Sequence, residues 1–347
     1  MNILLITAHS IAAYDDVRML TDRGHDVFNL DGYIDPAHPH VDMRPALPNA
    51  PRHPELTAVV DALGTPDNLT AAKERIPDEL LEWADVAIVH HYPERWLLAN
   101  LGRMQDFGVA PVWRTCGQSD PRLETVMRPH HQEGDLAIVR YSPAEQRFFE
   151  PIGAWAGMDA LIRFGKYRGD YPRWTGPDAG TPAFVANVTQ DMAGRGEHCG
   201  LTFWIRATRG LQAFPAGKDS EKLPGGVGFM PEADMLDYLR QASAYLYTGT
   251  VPASYTLGLL EALMVGVPIV SIGPNAWAGP EALFEGHDLA FPAVAETPEL
   301  ARDLLERLLA DHAYGQQLAS VQSEDAGLFD VQFVGPQWDE LLASVVR

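Results

Sequence analysis

One carboxylate stands alone in a long apolar stretch. Between Arg240 and Glu281 the only charged residue is Glu261, set in the run Leu257-Gly258-Leu259-Leu260-Glu261-Ala262-Leu263-Met264. A carboxylate buried without a partner is strongly unfavourable. Either the helix leaves Glu261 facing water, or a structural partner holds it, or a ligand does. The aromatic run from Ala244 reads as a buried strand, so this helix begins at the carboxyl end of a sheet, where open α/β folds bind ligands. The preceding loop, Ala253-Ser254-Tyr255-Thr256, supplies hydroxyls and backbone N–H groups, and the helix dipole there favours an anion. A diphosphate would fit that end, with Glu261 placed to accept from ribose hydroxyls.

The pattern S-Y-T-L-G-L-L-E-A-L-M-V-G-V-P-I-V from Ser254 to Val270 resembles the donor-binding helix of GT-B glycosyltransferases. The likeness is to the retaining family-4 type, whose usual form is E-G-F-G-L-x-x-L-E-A-M-A-x-G-x-P-V-V. The resemblance implies two Rossmann-like domains facing a central cleft, with a C-terminal helix crossing back to the N-terminal domain. It puts the family's ribose-binding Glu on Glu261. The family's first Glu, which contacts the donor sugar, falls on Ala253. Ser254, Tyr255, Thr256, Leu257 and Gly258 then belong to the donor site, with Asn187 at the end of a nearby strand. The family's basic residue for the diphosphate falls in the loop Val188–Gly196, where Arg195 is the sole cation; Lys218 is a second candidate. Backbone groups near Gly228–Met230 are placed to hold the base.

Two further candidates leave strand ends in the first half. The strand read over Asp85–His90 runs into His91, and the strand Pro111–Thr115 runs into a polar turn ending in Asp120. Either could orient or deprotonate an acceptor hydroxyl, or serve only as a loop hydrogen-bonding group. The family's active-site His has no counterpart in that turn. His9 and Ser10, at the end of the first strand, face the same choice. His38, His40 and His53 are irregularly spaced, with no Cys or carboxylate pair beside them, and read as loop residues rather than metal ligands. No D-x-D motif occurs, so no metal-bridged diphosphate is expected.

The elements that must position these residues alternate strand and helix. Asn2–Thr7, a helix from Tyr14 to Arg23, Gly24 as its cap, and the strand Asp26–Leu30 make a βαβ opening without a G-x-G-x-x-G fingerprint. A helix over Glu94–Gln105, a strand over Leu136–Tyr141 and a capping box at Ser142-Pro143-Ala144-Glu145 follow. The stretch Gly165–Pro182, dense in Gly, Pro, Tyr and Trp, reads as an interdomain hinge. A second α/β unit opens at Phe184–Asn187. Helices over Pro298–Asp311 and Gln337–Val346 close the chain, with a break at Phe333–Pro336. The domains expected are 1–170, joined by the helix 332–347, and 180–330, as acceptor and donor domains.

At 347 residues the chain suits two domains of ordinary size. No apolar run is long enough for a membrane span, and the N-terminus does not read as a signal peptide. Cys116 and Cys199 fall in different domains, which argues against a structural disulfide and for the cytoplasm. A net charge of -21 opposes non-specific binding to nucleic acid or anionic membranes. A basic cluster in mid-chain, Arg114, Arg122, Arg128, Arg140, Arg147, Arg163, Lys166 and Arg168, leaves a locally basic cleft open. The resemblance thus implies sugar transfer from a nucleotide-diphosphate sugar, a UDP-sugar first among donors, to an acceptor hydroxyl, with retention and without metal. The acceptor is a small molecule, a glycan or a modified DNA base. The last makes a phage-type DNA glycosyltransferase acting on a hydroxymethylated base one alternative. A catalytically inactive GT-B protein that binds a nucleotide-sugar is another; a GT-B epimerase or phosphorylase is a third.

Overall fold

The computed structural model describes residues 1–7, 10–30, 53–64, 68–90, 92–117, 120–251, 253–273 and 293–346. The chain divides into two compact units. The first comprises Met1–Tyr141, Glu145–Gly165 and Val331–Arg347; the second comprises Ser142–Ala144 and Lys166–Asp330. Each is an α/β unit around a parallel sheet.

The first sheet is built from β1 (Asn2–Ile6), β2 (Asp26–Asn29), β3 (Val86–Val89), β4 (Ala110–Arg114), β5 (Ala137–Arg140) and β6 (Ala160–Leu161), in the order β2-β1-β3-β4-β5-β6. Every pairing is parallel. Strands covered on both faces must be apolar throughout, and β1 and β3 are, with Ile3, Leu4, Leu5, Val86 and Ala87 all inaccessible to solvent. The second sheet comprises β7 (Val185–Val188), β8 (Ala213–Ala216), β9 (Ala244–Tyr247), β10 (Ile269–Ile272) and β11 (Val294–Ala295), in the order β11-β10-β9-β7-β8. It too is parallel. In each sheet the strand order reverses beside the first strand, between β1 and β3 and between β7 and β9. Those switch points open a crevice at the carboxyl ends of the strands.

Two expected elements differ. The helix expected over Glu94–Gln105 is broken into Pro93–Trp96, a 3-10 turn at Leu98–Asn100, and Leu101–Phe107. Buried Asn100 accounts for the break: its amide donates to the carbonyls of Trp96, Lys73 and Glu74 and accepts from Ile76 N. At 142–145, where a capping box was expected, Ser142 Oγ accepts from Ala144 N and Glu145 accepts from Thr115 Oγ1 at 2.7 Å. The last helix runs unbroken over Val331–Val345, through Pro336. The bond lost at proline is offset by burial of Val334, Trp338, Leu341 and Leu342 and by Arg23, whose Nε donates to Asp339 at 2.8 Å. No helix among the described residues is long and apolar enough to cross a membrane.

The helix His312–Asp325 ends in a buried acid. Burial, reinforced by neighbouring Glu324, raises Asp325 from the usual 3.8 to about 6. A folded value above the unfolded one means that this carboxyl favours the native state fully below 3.8 and loses that contribution as pH rises through about 6. Asp325→Asn should therefore be more stable than the parent by about 2–3 kcal/mol near neutral pH, and the gain should vanish at about pH 3.5. Urea unfolding at both pH values checks this; a gain independent of pH would contradict it.

Candidate functional site

The carboxyl edge of the second sheet is assembled from the ends of β7, β8 and β9. Helix Leu257–Val265 starts at the β7/β9 switch point. Thr256 caps it, its Oγ1 accepting from Leu259 N at 3.3 Å. Gly258 is forced by proximity, since a Cβ there would overlap Val188 O, with the Tyr245 hydroxyl 3.2 Å away. That hydroxyl lies 3.3 Å from Val188 N and 3.4 Å from Val188 O. Tyr238 OH does the same service one residue back, accepting from Asn187 N and donating to Phe214 O. Burial pushes both phenols far above their ordinary range, so they act here as neutral clips.

The loops after β7 and β8 are stitched together. Thr189 N donates to Ala216 O, Asp191 N to Lys218 O, and Lys218 N to Gln190 Oε1. A Cβ on Gly217 would lie 2.5 Å from Thr189 O, so the loops touch backbone to backbone there. This brings Arg195 and Lys218, both exposed, to one edge of the sheet. Among the described residues three non-glycines adopt a left-handed backbone: Tyr92 (φ 46), Asp191 (φ 49) and Asp219 (φ 62). Asp191 and Asp219 follow β7 and β8, and Tyr92 follows β3. Such strain persists where surrounding structure imposes it and concentrates at functional edges.

Glu261 has a partner inside the protein. Lys166 Nζ donates to its Oε1 at 2.9 Å, and both side chains are buried, at 0 and 4% exposure. Lys166 is itself fixed by its N–H to Phe329 O at 2.6 Å and by a bridge to Asp330. The segment expected as a hinge thus holds, as its second residue, the one that anchors the helix. Further along it, Trp174 N donates to Val265 O and Trp174 Nε1 to Ala242 O.

The remaining candidates divide. Thr256, Leu257 and Gly258 open the helix at the carboxyl edge, and Arg195 and Lys218 stand on the loops that follow β7 and β8. Ser254 and Tyr255 are buried, Tyr255 edge-on to Phe329 with centroids 5.7 Å apart. Asn187 is inaccessible and its amide donates to Leu246 O at 2.8 Å, tying β7 to β9 instead of facing the edge. Gly228 is already engaged, its N–H with Ser220 Oγ and its carbonyl with Gly217 N.

In the first unit Asp120 caps helix Pro121–Glu133, accepting from Arg122 N at 2.8 Å, and its carboxylate is 44% exposed. His9, His38, His40 and His91 lie outside the described residues. Beside His91, a buried group escaped sequence reasoning: His90 Nε2 sits 3.2 Å from Asp16, which also lies 3.4 Å from Arg114 Nε. Burial holds His90 below the usual imidazole range against the pull of Asp16. Cys116, its Sγ 3.5 Å from His90 O, is pushed well above the usual thiol range by burial. Adjacent lone charges in the sequence gave no signal of this trio.

Half of the basic mid-chain cluster is internal. Arg114, Arg140, Arg163 and Lys166 are buried, and Arg140 makes a two-pronged pair with Glu124 at 2.5 and 2.8 Å. His130, Glu133 and Asp135 place ligand-type atoms within 4.8 Å of one another. Asp135 there accepts from Gln105 and lies 3.5 Å from His130, so hydrogen bonding already accounts for the group.

No protein family and no curated protein matches the chain by sequence. Solved structures do match in shape. HepE of Anabaena, in complex with UDP and glucose, superposes with a TM-score of 0.65 at 16% identity over 99% of each chain. A glycosyltransferase of Rickettsia africae gives 0.66 at 8% identity over 100% of this chain and 98% of that one. The lipopolysaccharide outer core galactosyltransferase WaaB gives 0.53 at 13% identity over 99% of each. These likenesses establish the fold as GT-B.

Gly258→Ala should destabilise the protein by about 1–3 kcal/mol, because the added methyl forces the helix off Val188. That loss exceeds the gain of about 1 kcal/mol expected from helix propensity. Denaturant unfolding decides; a stabilised variant would show that the close approach is not needed.

Proposed function

We propose that the chain is a glycosyltransferase moving a sugar from a nucleotide-diphosphate sugar, a UDP-sugar first among donors, to an acceptor hydroxyl. The observation that carries this reading is the carboxyl edge of the second sheet. A capped helix N-terminus and a glycine-enforced close approach stand there at the β7/β9 switch point, with two exposed cations on the loops after β7 and β8. Arg195 and Lys218 would meet the diphosphate, with the start of helix Leu257–Val265 adding its N–H groups and dipole. Glu261 would accept from the ribose hydroxyls, its charge and orientation fixed by Lys166. HepE, whose structure contains UDP and glucose in the same fold, supports the donor class.

In the reaction the acceptor oxygen bonds the anomeric carbon as the bond from that carbon to the diphosphate oxygen breaks. The diphosphate leaves with the electron pair and takes up the acceptor's proton, and its remaining charge is met by Arg195, Lys218 and the helix. We place the chain with retaining, metal-independent enzymes of the family-4 type on its Ser254–Val270 motif and on the lack of a D-x-D sequence. With Ala253 at the position of the family's first Glu, its small apolar side chain makes no ionic contact with the sugar. The first unit is the acceptor domain in this reading, with Asp120 or His91 orienting the acceptor hydroxyl. The DNA-base alternative drew on the basic mid-chain cluster, half of which is buried.

A thermal-shift panel of UDP, GDP, ADP, CDP and TDP tests the donor site. The preferred diphosphate should stabilise by about 2.7 kcal/mol at a hundredfold excess over its Kd. No shift with any would overturn the reading. Binding without release of diphosphate from any nucleotide-sugar, with acceptors supplied, would favour the inactive relative. Arg195→Ala should weaken the diphosphate about tenfold, as expected for one charge-assisted hydrogen bond, and leave the nucleoside unchanged. Equal weakening of both would remove Arg195 from the phosphate site.

A further inference from the structure

A second concave site lies in the same unit at the opposite edge of its sheet. Helix Leu257–Val265 begins at the carboxyl edge, so its end at Val265–Gly266 reaches the amino edge. There the segment Arg168–Thr175 passes beneath it, held by the Trp174–Val265 and Trp174–Ala242 bonds. Between this segment and helix His312–Asp325 is a groove of about 610 Å³, within the range of small-molecule sites.

The two walls differ in chemistry. One carries the guanidinium groups of Arg168 and Arg173, both exposed. Neither forms an ion pair among the described residues. The other carries His312, Gln316, Ser320 and Ser323, spaced by four, four and three residues and therefore on one face of their helix. His312 stacks on Trp174 with centroids 5.1 Å apart. No carboxylate among the described residues lines the groove, although the chain carries 47 acids against 26 Lys and Arg. The end of the helix contributes about half a negative charge; two guanidinium groups outweigh it.

We propose that this groove binds an oligosaccharide carrying acidic groups, carboxylate or phosphate. Arg168 and Arg173 take the acidic groups, since the planar guanidinium matches both two-pronged. The Ser320 hydroxyl, the Ser323 oxygen, whose proton goes to Ser320 O, and the Gln316 amide, which also meets His312 Nε2 at 3.2 Å, hydrogen-bond the sugar hydroxyls. The site is separate from the carboxyl edge and does not depend on the donor reading.

Calorimetric titration of the full chain with trigalacturonate, a phosphorylated maltotriose and neutral maltotriose tests this. At least one acidic trisaccharide should bind, and added salt should weaken it. Maltotriose should bind at least tenfold more weakly. Arg168→Ser and Arg173→Ser should each cost about tenfold; Arg195→Ala should cost nothing. Both arginines are exposed, so the variants should keep their circular dichroism spectrum. The indole N–H resonance of Trp174, assigned with Trp174→Phe, should shift on titration. The proposal is overturned if no acidic probe binds, if maltotriose binds equally well, if inorganic phosphate binds as tightly as the saccharide, or if the arginine variants bind unchanged.

Discussion

The ion pair between Lys166 and Glu261 is the constraint on which the second unit depends. Two charges removed from water lose hydration that their attraction recovers only at close range and in good geometry. At 2.9 Å, with both side chains buried, the pair meets that condition. It permits a carboxylate to sit on an otherwise apolar helix whose other side chains, from Leu259 to Val265, fill the core. It also fixes where the chain enters the unit, because Lys166 is bonded through its backbone to Phe329, and Phe329 packs on Tyr255 just ahead of that helix. A pair of this kind contributes more to specifying one arrangement than to stability.

The edge above that helix is built by backbone proximity more than by side chains. Gly258 and Gly217 allow chains to touch, Tyr245 and Tyr238 clip the strand ends, and Asp191 and Asp219 hold left-handed turns between them. The result sets out Arg195 and Lys218 from two loops whose sequences share no motif. The first unit arranges its strand ends differently, around the buried His90, Asp16 and Arg114.

Local signals carried most of the architecture. The apolar run from Leu257 that the sequence marks as a helix is one, capped by Thr256 and stopped at Gly266, because cap and stop both act within a few residues. Alternating strands and helices likewise marked two α/β units. What escaped were pairings between distant residues. Lys166 meets Glu261 across 95 positions, Asn100 breaks its helix to satisfy carbonyls 26 and 27 residues away, and Arg140 and Arg114, read as part of a locally basic cleft, meet Glu124 and Asp16 inside the first unit. Helix Val331–Val345 continues through Pro336 for the same reason: packing by Trp338 and Leu342 overrides a local stop.

The most direct measurement is a double-mutant cycle on Lys166→Met and Glu261→Leu, read by urea unfolding and by UDP titration. Each single change should cost about 3–5 kcal/mol, since it strands a buried charge, and the double variant should regain most of that stability. UDP affinity should fall with Glu261→Leu and stay low in the double variant, as the ribose acceptor is gone in both. Additive losses of stability would show that the two charges are not coupled. Full UDP affinity in a folded double variant would show that Glu261 serves the fold alone.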